Sequence, residues 1–332
     1  MLEKAKNTQE AAKINWGKVK SILSSAGVLI ALIVLSAILA ILSPYFLEVE
    51  NLMNIARQSA INSLIAVGML LTILTAGIDL SVGSVLALSS VVMAILIKNM
   101  GINPLLGMVV GLGVGAFLGF LNGIMLTKLH LPHPFISTLG MMNIARGLAL
   151  ILTKATPISG FPPVVQFIGA GSIGVVPISF LVVIGVYIIY HIFLTRTPTG
   201  RYIYAIGGNI EAARLSGINV EKVLVIVYTL SGLMAAVGGL VLVGRVNAAY
   251  PLAGLGYELD AIAAVIIGGA SFMGGVGTVW GTLVGAIIMA VIRNGLNLLS
   301  VSPEWQTVII GSVIIGAVYL DVLRRRMETK TK

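Results

Sequence analysis

Seven long stretches without any Asp, Glu, Lys or Arg are the feature that most constrains the fold of this chain. A helix that crosses the hydrocarbon core of a bilayer needs about 20 apolar residues, and lipid offers no partner for the unpaired backbone groups of an open sheet. The stretches therefore predict an all-α, polytopic integral membrane protein. They cover residues 21–47, 58–78, 80–97, 99–127, 155–195, 223–244 and 261–292.

Counting apolar spans along the whole chain gives about ten predicted transmembrane helices. Only 10% of the 332 residues are charged, against roughly 25% in soluble domains. We expect an N-terminal segment at 1–21, one transmembrane domain at 22–322 with a large loop at 196–222, and a basic tail at 323–332. The predicted helices lie near residues 22–43, 59–76, 80–97, 104–127, 134–153, 177–195, 223–244, 259–270, 277–297 and 305–322.

The distribution of basic residues predicts the orientation, because Lys and Arg accumulate in cytoplasmic segments. Fifteen of the 21 basic residues fall on one side: five lysines within 1–21, Lys128, four residues in the loop 196–222 and five in the tail 323–332. We therefore expect both termini in the cytoplasm. Topology and lipid headgroups account for the net charge of +9, so no nucleic-acid partner is expected.

Several kinds of chemistry are not expected. The chain contains no cysteine, which excludes disulfides, thiolate metal sites and cysteine nucleophiles. It also contains no G-x-x-x-x-G-K-[ST] motif, so it does not bind nucleotide phosphates through such a loop. His130 and His133 lie three residues apart without the further ligands that a metal site needs. We expect no catalytic residue, no metal and no cofactor.

A polar interlude, "GGNIEAARLSGI" at residues 207–218, lies in the loop 196–222. Asn209 can cap a short helix, and Gly217 can end it in a left-handed conformation. Glu211 would occupy the first turn, where the helix dipole favours an anion. Ala212 and Ala213 are expected to form a flat surface that the groove of another protein could approach closely. An ordinary amphipathic connection is the alternative reading of this pattern.

Two glycine-rich regions, residues 77–83 and 268–277, form a weak internal repeat and predict broken membrane helices. In "GIDLSVGS", from residue 77, Gly77 can interrupt a helix and Asp79 can cap the next one; a substrate-gating role for Asp79 is the alternative. Paired interruptions in two halves of a transporter indicate its transport path. Arg146 is expected to pair with a carbonyl or a distant carboxylate. The candidates for the path or its gate are Gly77, Asp79, Ser81, Gly83, Asn122, Gly268, Gly269, Gly274 and Gly275.

Four stretches together resemble known importer families. The segments "TAGIDLSVGSVLAL" (75–88), "FLNGIMLTKLHLPHPFISTLGMMNIARGLAL" (120–150) and "GYELDAIAAVIIGGASFMGGVGTVWGTLVGA" (256–286) are similar to the ribose-type sugar permease family. Glu211, Ala212 and Ala213, followed by Gly217, resemble the EAA loop of ATP-binding cassette (ABC) importer permeases. In those permeases this loop docks on the ATPase subunit.

The resemblance implies a multi-pass permease of the bacterial inner membrane that imports a monosaccharide such as ribose. It also implies its partners: ABC ATPase subunits that hydrolyse ATP, an extracytoplasmic sugar-binding protein, a second copy of the permease, and membrane lipid. We expect the binding protein to dock on the outer loops 153–176 and 245–260. The alternatives are a branched-chain amino-acid ABC permease and an ion-coupled secondary carrier that uses Asp79 as its buried carboxylate.

Overall fold

A computed structural model describes residues 16–129 and 131–329. The described part excludes residues 1–15, His130 and residues 330–332. Most of the predicted N-terminal segment, His130 of the His130–His133 pair and the last residues of the basic tail therefore lie outside it. The described residues form thirteen α-helices. They are α1 Trp16–Leu42, α2 Val49–Leu74, α3 Val82–Ala94, α4 Pro104–Lys128, α5 Pro134–Thr153, α6 Pro163–Ala170, α7 Ile178–Arg196, α8 Pro198–Gly208, α9 Ile210–Leu215, α10 Val220–Val246, α11 Tyr257–Ile267, α12 Val279–Leu298 and α13 Pro303–Thr329.

The all-α membrane architecture is confirmed, but fewer than ten helices in the described part of the chain are long and apolar enough to be complete spans. Within the described residues, seven helices are long and apolar enough to cross a membrane: α2, α3 with the π-helix Ile95–Asn99 that continues it, α4, α5, α7, α10 and α12. The segment predicted at 259–270 is α11, which has only 11 residues. It is about 16 Å long, roughly half of the hydrocarbon core. Gly256, with φ of 81°, stands immediately before it, and Gly268 follows it.

The core of the bundle is built around α2 and α10. The most apolar window of α2 is 83% buried, whereas that of α5 is only 28% buried, so α2 is central and α5 is peripheral. Helix α10 packs against α4, α2, α6 and α3. Glycines bring its backbone close to α4: a Cβ built on Gly232 would lie 2.9 Å from the Cα of Gly119. Small residues permit this close packing of membrane helices.

Two short antiparallel ladders complete the fold. Strand β1, Ile158–Ser159, pairs with β4, Ala248–Ala249, and β2, Ser172–Ile173, pairs with β3, Val176–Pro177. The first ladder joins the two loops that the sequence predicts as outer loops. Asn247 strengthens this contact, since its Oδ1 accepts a hydrogen bond from the Phe161 amide at 2.8 Å. These loops lie at the far end of α10 from the loop 196–222, because α10 begins at the latter and ends at the former.

Candidate functional site

The short helix predicted in the loop 196–222 is present as α9. The side chain of Asn209 caps it by accepting a hydrogen bond from the Ala212 amide at 2.9 Å. Gly217 follows with φ of 82°, in the left-handed region that glycine favours. Glu211 and Arg214 form an ion pair at 2.9 Å, one helical turn apart on the exposed surface. The helix is therefore held at both ends and presents charged side chains outward.

The exposed surface of α9 differs from the expected one. Ala213 is only 4% exposed, because it packs against the rest of the chain, whereas Ala212 is exposed. The expectation that both alanines share one docking surface is therefore wrong. Leu215, which the sequence analysis did not single out, is 88% exposed. An apolar residue at the end of a short polar helix is the signal that could have identified it.

Behind α9, three backbone segments meet at one carbonyl group. Gly207, at the end of α8, lies against the Leu74 carbonyl oxygen at the end of α2. The Gly275 amide donates a hydrogen bond to the same oxygen at 2.9 Å. Gly274, with φ of 86°, lies beside Ala76, where a Cβ would come within 2.8 Å of the Ala76 nitrogen. Gly274 and Gly275, two of the predicted glycines, thus connect the break after α2 to Gly207 at the end of α8. We call this contact the Leu74 junction.

Tyr204 adds a side-chain contact near the Leu74 junction. Its hydroxyl donates a hydrogen bond to the Gly277 carbonyl at 2.9 Å. Burial raises the pKa of the Tyr204 phenol, which keeps the hydroxyl protonated and able to donate. Helix α8 is therefore tied to the loop 268–278 at two points.

Asp79 lies at the centre of a buried hydrogen-bond network. Its Oδ1 accepts from the Ser81 amide at 3.0 Å and from the Ser81 hydroxyl at 2.6 Å. Its Oδ2 accepts from the Ser231 hydroxyl of α10 at 2.8 Å. Asn122 of α4 donates to the Ser81 hydroxyl oxygen at 2.9 Å. Asp79 thus binds the Ser81 amide, as expected, but Ser81 itself is the N-cap residue of α3, and this helix has no side-chain cap hydrogen bond. We call these four residues the Asp79 network.

The Asp79 network is closed off from solvent. Asp79 is 1% exposed, and Ser81 and Asn122 are 0% exposed. Gly77 packs against the side chain of Tyr228 on α10, since a Cβ on Gly77 would lie 2.5 Å from the Tyr228 hydroxyl oxygen. Among the described residues, neither that hydroxyl nor the Asn122 Oδ1 has a hydrogen-bond partner. One atom of the network and one hydroxyl beside it are therefore buried without a hydrogen-bond partner, and a conformational change could provide partners for both.

A second contact holds the start of α3. Gly83 lies against the backbone of Gly254, in the loop before α11. Arg146 of α5 holds this loop, because its Nη1 donates to the Pro251 and Ala253 carbonyl oxygens at 2.6 and 2.7 Å. The expected pairing of Arg146 with a carbonyl group is thus confirmed. Nothing in the local pattern around Arg146 identifies these two carbonyl groups as its partners.

The remaining predicted glycines lie apart from the Asp79 network. Gly268 packs against the backbone of Gly281, where α11 and α12 cross. Gly269 has φ of 88°, and a Cβ added to it would meet no other residue within 4 Å. Glu211 and Gly217 lie on the surface. Within residues 16–129 and 131–329, no three His, Asp or Glu side chains gather closely enough to hold a metal ion.

Comparison with known proteins places the chain in a family. Residues 51–318 match the family described as the permease component of branched-chain amino acid transport systems. The chain is 46% identical to the ribose import permease of Bacillus subtilis, over 90% of this chain and 93% of that protein. It is 43% identical to the D-allose transport system permease of Escherichia coli (90% and 91% covered) and 40% identical to the galactose/methyl galactoside import permease of Salmonella typhimurium (91% and 95% covered).

No solved structure matches the chain. The family match covers most of the residues between α2 and α13, including the Leu74 junction and the Asp79 network. The resemblance to the ribose-type permease family is therefore confirmed, and this chain belongs to the branched-chain amino acid and sugar permease family.

Proposed function

We propose that this chain is the transmembrane permease subunit of an ABC importer for a monosaccharide. The observation that carries the proposal is the identity of 40–46%, over about nine-tenths of the chain, to permeases named for ribose, allose and galactose. The sequence has no phosphate-binding loop, so ATP hydrolysis belongs to a partner subunit. The bundle of apolar helices provides the route through the inner membrane.

The ATPase subunit docks on α9, at the cytoplasmic end of the bundle. The basic residues around this loop support that orientation. Leu215 offers an almost fully exposed apolar side chain, and the Glu211–Arg214 pair lies beside it. The binding protein docks at the other end, on the loops that the β1–β4 ladder joins.

A second copy of the permease packs against α5. Asn143 is the tenth of the 20 residues of α5 and is exposed. An amide in the middle of a membrane span is costly when it faces lipid. Gly140 and Gly147 flank it on the same face, and a Cβ added to either glycine would meet no atom outside its own helix within 4 Å. This small and polar stripe suits a neighbouring helix better than lipid.

The Asp79 network forms part of the gate of the path. Closure of the ATPase subunits moves α9, and the Leu74 junction transmits this movement to the break between α2 and α3. The backbones there are in direct contact, so no flexible side chain absorbs the displacement. Rotation of rigid groups of helices then exposes the path alternately to the two sides.

An ion-coupled carrier is the less favoured function. Such a carrier needs a carboxylate that releases and binds its ion during each cycle, whereas Asp79 already accepts three hydrogen bonds. A branched-chain amino-acid cargo has weaker support too, because the relatives compared above are named for sugars.

Uptake by the reconstituted importer tests the proposal. The permease is placed in liposomes with the ATPase and binding protein encoded beside it, and uptake of ribose, allose, galactose and leucine is measured with and without ATP. We expect ATP-dependent uptake of one or more sugars. Uptake of leucine alone, or sugar uptake that follows an ion gradient without ATP, would contradict the proposal.

A further inference from the structure

A cavity of about 170 Å³ lies between α2, α10, α11 and α12, apart from the Asp79 network. Its position follows from its lining. Arg245 is the second-last residue of α10, and Arg293 lies five residues before the end of α12. Both are far from α9, so the cavity opens in the half of the bundle that faces the β1–β4 ladder. The polar residues that line it are Gln58, Asn62, Arg245, Tyr257, Asp260 and Arg293.

The charged residues of this cavity are only partly paired. The Nη2 atom of Arg293 donates to both carboxylate oxygens of Asp260, at 2.7 and 2.6 Å. A guanidinium group has five N–H donors, so several donors of Arg293 remain. Arg245 has no hydrogen-bond partner among the described residues, although it lies within electrostatic range of Tyr257. A guanidinium group inside a membrane protein is costly unless it is solvated or paired.

The cavity also presents an acceptor and an apolar wall. The Oδ1 atom of Asn62 is buried and has no partner in the described part of the chain, and the Tyr257 hydroxyl can both donate and accept. Ile61, Met289 and Ala290 line the remaining surface. Polar groups that converge beside an apolar wall are typical of sites for small molecules.

We infer that this cavity is a binding site for the transported monosaccharide within the permease itself. A neutral sugar matches the lining because each hydroxyl both donates and accepts. The hydroxyl groups of the sugar can accept hydrogen bonds from the guanidinium groups and donate one to the Asn62 Oδ1 atom. The C–H groups of the sugar ring can pack against Ala290. An anion would satisfy the two arginines but would leave the Asn62 oxygen unpaired, which carries a desolvation cost. The inference rests on the proposed function, and it assigns the substrate a site that lies inside one protomer.

Cysteine protection tests this site directly, because the chain has no natural cysteine. An Ala290→Cys variant, assembled with its ATPase in nanodiscs, is treated with a small water-soluble thiol reagent. Ribose, allose and galactose are added in turn, and modification of the permease is read by mass spectrometry. We expect one sugar to slow modification about tenfold when its concentration is ten times its dissociation constant.

Matched controls separate occupancy from general effects. Asn297→Cys lies on the same helix, is exposed and does not line the cavity, so sugar should leave its modification rate unchanged. Sucrose, a disaccharide, controls for osmotic effects. Adding Asn62→Leu to Ala290→Cys should raise the sugar concentration for half-protection about tenfold, the size expected when one buried hydrogen bond is lost. Tyr257→Phe provides the same test if Asn62→Leu does not assemble.

Three results would overturn the inference. The first is modification of Ala290→Cys that no monosaccharide slows. The second is protection by sodium phosphate in place of sugar, which would make the cavity an anion site. The third is a thiol that the reagent never reaches, since a transported sugar needs an aqueous entry. Uptake by the same importer distinguishes these failures from a failure of the proposed function: sugar uptake without protection refutes only the site.

Discussion

Gly207 lies so close to the carbonyl oxygen of Leu74 that no side chain fits between them. The neighbouring residue Gly208, one position nearer to α9, has open space instead. The two adjacent glycines therefore differ in the room for a side chain: Gly207 has none because it lies against the end of α2, whereas a methyl group on Gly208 would meet no other residue. This difference provides a matched pair of substitutions for the coupling between α9 and the membrane helices.

We expect Gly207→Ala to impair transport strongly. The added methyl group must displace α8 from α2, and a displacement that costs ~1.4 kcal/mol in the transport step changes its rate about tenfold. ATP-dependent sugar uptake and ATP hydrolysis are measured together in liposomes. Hydrolysis should persist while uptake falls, because α9 remains available to the ATPase. Gly208→Ala should behave as the unmodified chain, and equal loss of uptake in both variants would refute the role of the Leu74 junction.

Leu215→Asp should weaken binding of the ATPase subunit. Burying a leucine at an interface is worth about 2 kcal/mol, which corresponds to ~30-fold in affinity. Binding of the purified ATPase is measured by interferometry on immobilised permease in nanodiscs. Leu299→Asp is the control, since Leu299 is also exposed (40%, against 88% for Leu215) but follows α12 at the opposite end. Unchanged affinity of Leu215→Asp would show that α9 docks through other residues.

Asp79→Asn should leave sugar uptake largely intact. The amide oxygen can still accept from the Ser81 amide and hydroxyl, and the amide nitrogen can donate to the Ser231 hydroxyl oxygen. Asp79→Ala removes the acceptor from all three donors and should destabilise the fold by about 1–3 kcal/mol for each donor that stays unpaired. Uptake and thermal unfolding of both variants are compared. Abolished uptake in a stable Asp79→Asn variant would favour the ion-coupled carrier.

Arg146→Gln should loosen the loop 250–256. The two hydrogen bonds to Pro251 and Ala253 are charge-assisted, and bonds of this kind are worth about 1.5–3 kcal/mol each. Thermal unfolding in detergent is the measurement, with Arg146→Lys as a partial rescue. Arg57→Gln is the control, because the Arg57 hydrogen bond goes only to the exposed Asn54. Equal melting temperatures for Arg146→Gln and Arg57→Gln would contradict this role of Arg146.

The helix positions were largely predictable because hydrophobicity and proline act locally. Helices α4, α5 and α13 begin at Pro104, Pro134 and Pro303, where proline at the first position needs no amide partner. Helix α2 begins ten residues before the predicted start at 59, at Val49. Its first turns include Glu50 and Arg57, so an apolar window excludes them although the backbone continues as a helix.

The candidate site was predictable only where its residues are neighbours in the chain. Asp79 and Ser81 are two positions apart, so the hydrogen bond between them could be predicted from the sequence. The contacts of Asp79 with Ser231 and of Gly207 with Leu74 join distant segments, and nothing in the local pattern pairs them. The same holds for the cavity at Arg245, whose lining comes from four helices. Such contacts depend on how the helices pack, which periodicity alone does not determine.

Helix α11 has a consequence for how the protein enters the membrane during its synthesis. With 11 residues, it is too short to be released into lipid as an independent segment, since a stable span needs about 20. The close contacts of Gly268 with Gly281 and of Gly285 with Ala264 bind it to α12. Insertion must therefore retain α11 until α12 has been translated, and the two helices enter the bilayer as one hairpin.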